Sequence, residues 1–302
     1  MRIHLLSALA RQRCPARYAH ALVLAVLAVW ALAGPAQAAG DEAGSRVTLP
    51  AAGGPPLRAL WRPAAGAGAH PAVVALHGCG GMFNAQGGLS RRFQDYSARL
   101  HAEGYSVLLL DSFGSRGVRS ICAQRYGQRD VTLAERRGDV LRALEWLRGQ
   151  PQVDASRLAL LGWSNGASTA LAVLDAARGP VPPLAGVAVF YPGCAAPEKR
   201  QVVLAPVPIL MQLGADDDWT PPAPCMALAG RLQARGHDVT LRVYPGSVHG
   251  FDGTEPVRVR AEVPNGVDPR GVHWGGNPQA RAAALQELDA FLARVLTPGA
   301  AP

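Results

Sequence analysis

The stretch Leu158-Ala159-Leu160-Leu161-Gly162-Trp163-Ser164-Asn165-Gly166 decides the fold of this 302-residue chain. It opens with an apolar run of the length of a buried strand, and residues 167–177 favour a helix directly after it. Its two glycines permit the sharp turn of a G-x-S-x-G nucleophile elbow, which lifts the serine above the end of a sheet. The pentapeptide alone is a weak signal, but a strand before it and a helix after it are the setting that this turn requires. The stretch therefore predicts a nucleophilic serine, Ser164.

On both sides of the elbow, short apolar runs alternate with helical patterns. This alternation is typical of a parallel sheet with helices packed against it. Two earlier strands, at residues 46–50 and 57–62, are predicted at the edge, and the last helix has one apolar stripe. The prediction is an α/β fold with a mostly parallel eight-stranded sheet and about six helices on both faces. Its inner strands are placed at residues 72–76, 107–110, 158–161, 187–190, 209–213 and 239–244.

The loops after the last two strands contain candidates for an acid and a base. A serine hydroxyl is a poor nucleophile unless a base takes its proton, and a carboxylate must orient that base. The first loop contains Asp216, Asp217 and Asp218, and the second contains His249. The order serine, acid, histidine is the order that accompanies an elbow of this kind. The spacing leaves the choice among the three aspartates open, and His273 is the alternative base, although it does not follow a predicted strand.

An acyl-transfer site also needs two backbone N–H groups that bind an oxyanion. One is expected from Asn165, which follows the nucleophile, and the other from the loop His77-Gly78-Cys79-Gly80-Gly81 after the third strand, where Cys79 is the chosen residue. No CxxC, HExxH or GxxxxGK[ST] pattern occurs, so the sequence implies neither a metal nor another cofactor.

The first 38 residues have the pattern of a secretory signal peptide. Four arginines precede an apolar run at residues 21–33, and Ala36-Gln37-Ala38 is a suitable cleavage site. The run has 13 residues, which is too short to span a membrane. The sequence thus predicts a signal peptide at residues 1–38, one domain at residues 39–302, and export to the periplasm or the extracellular space without a stable membrane anchor.

The charge distribution disfavours nucleic acid as a partner. The full chain has a formal charge of +8, and the domain without its four N-terminal arginines has 26 basic and 22 acidic residues, a charge of +4. A nucleic-acid-binding surface needs a dense basic stripe, whereas this chain contains the single lysine Lys199 and scattered arginines.

The chain resembles the dienelactone hydrolase family of α/β-hydrolases over roughly residues 70–296. The resemblance implies the α/β-hydrolase fold, and in family members the catalytic aspartate stands four residues before the proline of the acid loop, which here is Asp217. Arg116 resembles a position from which family members hold a substrate carboxylate. One departure is the nucleophile, because the enzymes that give the family its name have cysteine where this chain has Ser164. The resemblance rests on residues 77–81, 111–117, 162–166, 214–221 and 244–251.

The expected function is that of a secreted serine hydrolase that cleaves a small-molecule carboxylic ester or lactone through an acyl-enzyme. The alternatives are a peptidase or a polyester-degrading hydrolase with the same triad, and a secreted binding protein that keeps the scaffold without catalysis. Four arginines at residues 112–130 would favour substrates with a carboxylate, with Arg116 as the candidate. The alternative is that these arginines are solvated or paired on a surface loop.

Four cysteines remain once Cys14 leaves with the signal peptide, and four cysteines allow three pairings. An exported protein is oxidised, which makes two disulfides plausible. Cys79 and Cys122 follow the third and fourth strands, and Cys194 and Cys225 follow the sixth and seventh, which are neighbours in this fold. We therefore predict the pairs Cys79–Cys122 and Cys194–Cys225, with four buried free thiols as the alternative.

Overall fold

The computed structural model describes residues 44–50 and 55–297. The signal peptide predicted at residues 1–38 lies outside the described residues. No helix among the described residues is long and apolar enough to cross a membrane. The strands are β1 Ser45–Leu49, β2 Leu57–Arg62, β3 His70–Leu76, β4 Ser106–Asp111, β5 Val153–Trp163, β6 Gly186–Phe190, β7 Ile209–Gly214, β8 Val239–Tyr244, β9 Arg258–Arg260 and β10 Val272–Trp274. The α-helices are α1 Arg91–Ala102, α2 Leu133–Arg148, α3 Asn165–Leu174, α4 Ala195–Lys199, α5 Pro222–Gln233 and α6 Pro278–Leu296.

Eight strands form one sheet in the order β1-β2-β4-β3-β5-β6-β7-β8. Strand β2 is antiparallel to both β1 and β4, and all the other neighbours are parallel. The predicted mostly parallel, eight-stranded α/β-hydrolase sheet is thus confirmed. The carboxyl ends of the parallel strands meet at one edge, where sheets of this type place their sites. The loops with Cys79, Ser164, Asp217 and His249 all leave strands at that edge.

The helices cover both faces of the sheet, because successive strand residues point to opposite sides. Val74 of β3 belongs to the apolar core that contains residues of α2, α3 and α5. Its neighbours Val73 and Ala75 belong to a second core with residues of α1 and α6. The predicted apolar stripe of the last helix lies in that second core, with Leu285, Leu288 and Leu292 buried and Val295 partly buried.

A capping box sets the start of helix α2. Thr132 accepts a hydrogen bond from the backbone N–H of Glu135, and the Glu135 carboxylate accepts one from the N–H of Thr132 at 2.7 Å. This reciprocal capping box satisfies two of the unpaired donors at the beginning of α2.

The segment at residues 264–278, for which no strand is predicted from the sequence, contains strand β10, which pairs with β9 in a separate antiparallel ribbon. Strands of three residues are too short to show an alternating pattern in the sequence. The ribbon bears on the site because Trp274 forms an isolated bridge to His249.

Candidate active site

Ser164 occupies a strained turn between β5 and α3. Its backbone has φ 51° and ψ −114°, a left-handed conformation that costs a residue other than glycine about 1–3 kcal/mol. Both glycines of the pentapeptide are required by close packing. A Cβ at Gly162 would lie 2.6 Å from the carbonyl oxygen of Gly166, and a Cβ at Gly166 would lie 2.0 Å from the carbonyl oxygen of Leu76. The turn can form only because these positions have no side chain.

The structure brings the three predicted triad residues together. The hydroxyl of Ser164 is 2.9 Å from Nε2 of His249, and Nδ1 of the same histidine is 2.8 Å from Oδ2 of Asp217. The aspartate and the histidine are buried, whereas Ser164 is partly exposed. A proton can therefore pass from the hydroxyl to an imidazole whose other nitrogen faces a carboxylate.

The three neighbouring aspartates have different environments. Oδ1 of Asp217 accepts the backbone N–H groups of Trp219 and Thr220 at 2.9 and 2.8 Å, which leaves Oδ2 for the histidine. Asp218 instead pairs with His273, whose Nδ1 is 2.7 Å from Oδ2 of Asp218. The His273 side chain is 54% exposed. The predicted alternative base therefore lies in a surface ion pair on β10.

Three residues that sequence reasoning missed enclose the imidazole of His249. The rings of Tyr191 and Trp219 lie on it, with centroids at 4.5 and 4.6 Å. The hydroxyl of Thr220 donates to the carbonyl oxygen of Tyr191 at 3.1 Å and lies 3.1 Å from Nδ1 of the histidine. Trp219 and Thr220 follow Asp217 in the acid loop, so their proximity to that loop was the one available signal.

A buried carboxylate, Asp252, connects the histidine loop to the elbow. It accepts hydrogen bonds from the hydroxyls of Tyr96 and Tyr191 and from the indole N–H of Trp163, and it pairs with Arg92 at 3.2 Å. Burial, and to a smaller extent this carboxylate, raise the pKa of Tyr191 well above its usual value, so its hydroxyl stays protonated as a donor. The network fixes the Tyr191 ring that lies against the imidazole of His249.

The two predicted oxyanion donors lie beside the serine. Asn165 is the first residue of α3, so its N–H has no partner within the helix. The N–H of Cys79 has no hydrogen-bond partner among the described residues, while its carbonyl oxygen accepts from Ile121 at 2.8 Å. The loop before Cys79 approaches the elbow closely, because a Cβ at Gly78 would lie 3.5 Å from Cβ of Ser164. Both N–H groups stay predictions as oxyanion donors.

Arg136 of α2 joins the two loops that contain these donors. One Nη donates to the side-chain oxygen of Asn165, and the other donates to the carbonyl oxygen of His77 at 2.8 Å. The side chain is 1% exposed and forms no ion pair with any carboxylate in residues 44–50 and 55–297. Burial lowers the pKa of Arg136 to about 9, which leaves the guanidinium charged at neutral pH. Burial and this neighbouring charge hold the pKa of His77 well below its usual range.

Both predicted disulfides are present, Cys79–Cys122 and Cys194–Cys225. The first connects the loop of the second oxyanion donor to the segment after β4. The second connects the loop after β6 to helix α5, which begins directly behind the acid loop. Each bridge therefore supports a loop that contributes to the site.

Arg116 pairs with a buried carboxylate of the protein. Its guanidinium forms two hydrogen bonds with Asp139 of α2, at 2.8 and 2.9 Å, and a third with the carbonyl oxygen of Ser112. It is absent from the described residues that line the cavity beside Ser164. The buried carboxylate of Asp139 satisfies this guanidinium, which agrees with the alternative that the arginine is paired within the protein. Its role toward a substrate carboxylate stays a prediction. The arginine of the same loop that does line the cavity is Arg129.

A cavity of about 750 Å³ opens beside Ser164. Cys79, Asn165 and Thr220 also line it, so Ser164 and both candidate oxyanion donors face the same space. This volume falls within the range of pockets that bind small molecules, roughly 300–1,000 Å³. The site can therefore admit a small substrate to the serine.

One family model matches most of the chain, and solved structures share its fold. The model of the dienelactone hydrolase family matches residues 59–296. Among solved structures, a putative dienelactone hydrolase from Klebsiella pneumoniae is similar, with 20% identity, a TM-score of 0.62, and coverage of 83% of this chain and 98% of that chain. Esterase 2 of Thermogutta terrifontis, phosphoramylated by tabun, has 17% identity and a TM-score of 0.59, with 85% and 97% coverage. At this level of identity, the two structures show that the fold is shared.

Proposed function

The chain belongs to the dienelactone hydrolase family, and from this membership we propose that it is a serine hydrolase that cleaves carboxylic esters or lactones through an acyl-enzyme. The observation that carries the proposal is the continuous contact from Ser164 through His249 to Asp217 at the mouth of a cavity. Asp217 is buried and both of its carboxylate oxygens are hydrogen-bonded, which supports its role as the group that orients His249.

In the proposed reaction, Oγ of Ser164 attacks the carbonyl carbon of the ester while Nε2 of His249 takes the hydroxyl proton. The carbonyl oxygen becomes an oxyanion that the N–H groups of Asn165 and Cys79 bind. The carbon–oxygen bond to the alcohol then breaks, and the imidazolium gives its proton to the leaving oxygen. Water attacks the acyl-enzyme with His249 again as base, which releases the carboxylic acid and restores the serine.

We extend the proposal to an exported protein. Disulfides persist in oxidising compartments and are rare in the cytosol, and the described part of the chain contains two of them. The apolar pattern of residues 21–33 supports the same location.

Covalent labelling tests the proposed nucleophile. We expect a fluorophosphonate to form one adduct, located by mass spectrometry on Ser164, and to leave the Ser164→Ala variant unlabelled. Ser168 is the matched control, because it is the other serine that lines the cavity and its replacement by alanine should retain the label. An adduct on Ser168, or no adduct at all, would refute the proposed nucleophile.

Arg136 offers a test of the oxyanion site. Arg136→Met keeps most of the side-chain volume but removes a buried charge and the hydrogen bonds to Asn165 and His77. We expect kcat to fall by about 10- to 100-fold with little change in KM, because the charge acts on the transition state. The affinity for a boronic acid, a tetrahedral anionic analogue, should fall in parallel. Arg148→Met on the same helix is the control, and a loss confined to KM would contradict this role.

A further inference from the structure

The cavity beside Ser164 continues along helix α3, away from the nucleophile. Beyond the elbow, the lining residues of α3 are Ser168, Leu171 and Ala172, and Asp175 caps the carboxyl end of the helix. They lie four, seven, eight and eleven positions after Ser164. This spacing describes one face of a helix. At 1.5 Å per residue, the distance from the serine to Ala172 is about 12 Å. The cavity is therefore elongated, with the nucleophile near one end.

The walls along this length are apolar. Helix α3 contributes Leu171 and Ala172, the segment before β7 contributes Val202 and Leu204, and α5 contributes Leu228. The Cys194–Cys225 bridge connects the residues before α4 to α5, and Cys194 itself lines the cavity. A saturated hydrocarbon chain that binds against this surface is removed from water, and this burial favours binding.

The charged groups lie at the two ends of this apolar wall. Asp175 and Arg178 form an ion pair at 3.0 Å near the carboxyl end of α3, and the nearby Arg200 is exposed. Near the serine, the guanidinium of Arg129 lies over the ring of Tyr126, 4.2 Å from its centroid. Between these charged groups, most of the side chains that line the cavity are apolar.

His249 identifies which part of an ester occupies this cavity. The histidine must give a proton to the leaving alcohol oxygen, so the alcohol lies on its side of the scissile bond. Both candidate oxyanion donors, Asn165 and Cys79, line the cavity. Trp219 and Thr220 beside the imidazole also line it, whereas His249 itself does not within the described residues. We propose that the cavity binds the acyl chain, and that the enzyme prefers esters of extended apolar acids to acetates. This proposal rests on the proposed function.

Chain-length selectivity tests the proposal. With p-nitrophenyl esters of fixed leaving group, we expect kcat/KM to rise by about 10- to 100-fold from acetate to octanoate. This is the gain of about two to three fully buried methylenes at roughly fourfold each, which allows for a chain that stays partly exposed in an open cavity. Ala172→Phe places a ring across the cavity and should lower the octanoate-to-acetate ratio by about tenfold. Ala227→Phe is the matched control, because Ala227 is exposed on α5, outside the cavity, and the ratio should stay at the wild-type value.

A second variant, Ala196→Phe, keeps the test valid if Ala172→Phe does not fold. Ala196 lines the cavity from the other side and is exposed, so Ala196→Phe narrows the same space without disturbing the core. The proposal is overturned if wild-type protein hydrolyses acetate and octanoate equally well, or if neither phenylalanine variant changes the ratio. It is also overturned if selectivity follows the alcohol in a series of alkyl acetates. Failure of the proposed function itself is distinct, because the protein would then hydrolyse no ester and take up no fluorophosphonate.

Discussion

Ser164→Ala is expected to lower kcat for short-chain aryl esters by about 10⁶-fold, and His249→Ala by about as much. The two effects should be similar because nucleophile and base act as a unit, so the loss of either one removes the same pathway. The 2.9 Å contact between the hydroxyl and Nε2 is the physical basis of this coupling. Steady-state hydrolysis of p-nitrophenyl acetate by the purified variants measures it, and the double variant should be no slower than either single one.

His273→Ala is the matched control for the histidine. His273 is exposed and pairs with Asp218, so its loss should leave turnover within about twofold of the wild-type value. Near-native activity of His249→Ala together with a large loss in His273→Ala would reverse the assignment of the base.

Gly166→Ala is expected to prevent folding or to lower the free energy of unfolding by more than about 4 kcal/mol, the range reached by severe overpacking of a core. The added Cβ would lie 2.0 Å from the carbonyl oxygen of Leu76 and 2.6 Å from that of His77. Both oxygens belong to the backbone at the end of β3, so neither can rotate away as a side chain would. Soluble yield and thermal unfolding monitored by circular dichroism measure the effect.

Gly230→Ala provides the matched control, since Gly230 is an exposed helical glycine of α5, where an added Cβ would have no described neighbour within 4 Å outside its own helix backbone. Here alanine is the better helix former by about 1 kcal/mol, so the melting temperature should rise slightly. A Gly166→Ala variant that melts at the wild-type temperature would show that the elbow can open without cost.

Much of the candidate site could be predicted because its residues follow strands β5, β7 and β8 of one parallel sheet. In a parallel sheet, every residue that directly follows a strand lies at the same edge, where the carboxyl ends of the strands meet. The loops with Ser164, Asp217 and His249 needed only this rule to be placed together, and so did the two cysteine pairs. The choice of Asp217 over its neighbours required the family resemblance, because all three aspartates lie in the same turn.

The arginines show where prediction from sequence ends. Arg116 and Arg129 lie on one loop and have the same chemistry, but Asp139 of α2 captures the first and leaves the second facing the cavity. Arg136 differs from its neighbour Arg137 only in which side of α2 it occupies, and it is the one buried behind the oxyanion loops. Ion-pair partners and burial depend on distances between elements, which a single sequence does not specify.

The two disulfides also bear on how the chain oxidises. Each native pair joins cysteines that are close along the chain, 43 and 31 residues apart. The other two pairings, which join Cys79 to Cys194 or Cys225, would both close much longer loops. By loop-closure entropy, the native pairing is favoured in the unfolded chain by roughly 2 kcal/mol over either alternative. The native bridges are thus the statistically preferred ones before any sheet has formed. Each bridge closes a short segment of the chain, so its formation does not require the rest of the protein to be folded.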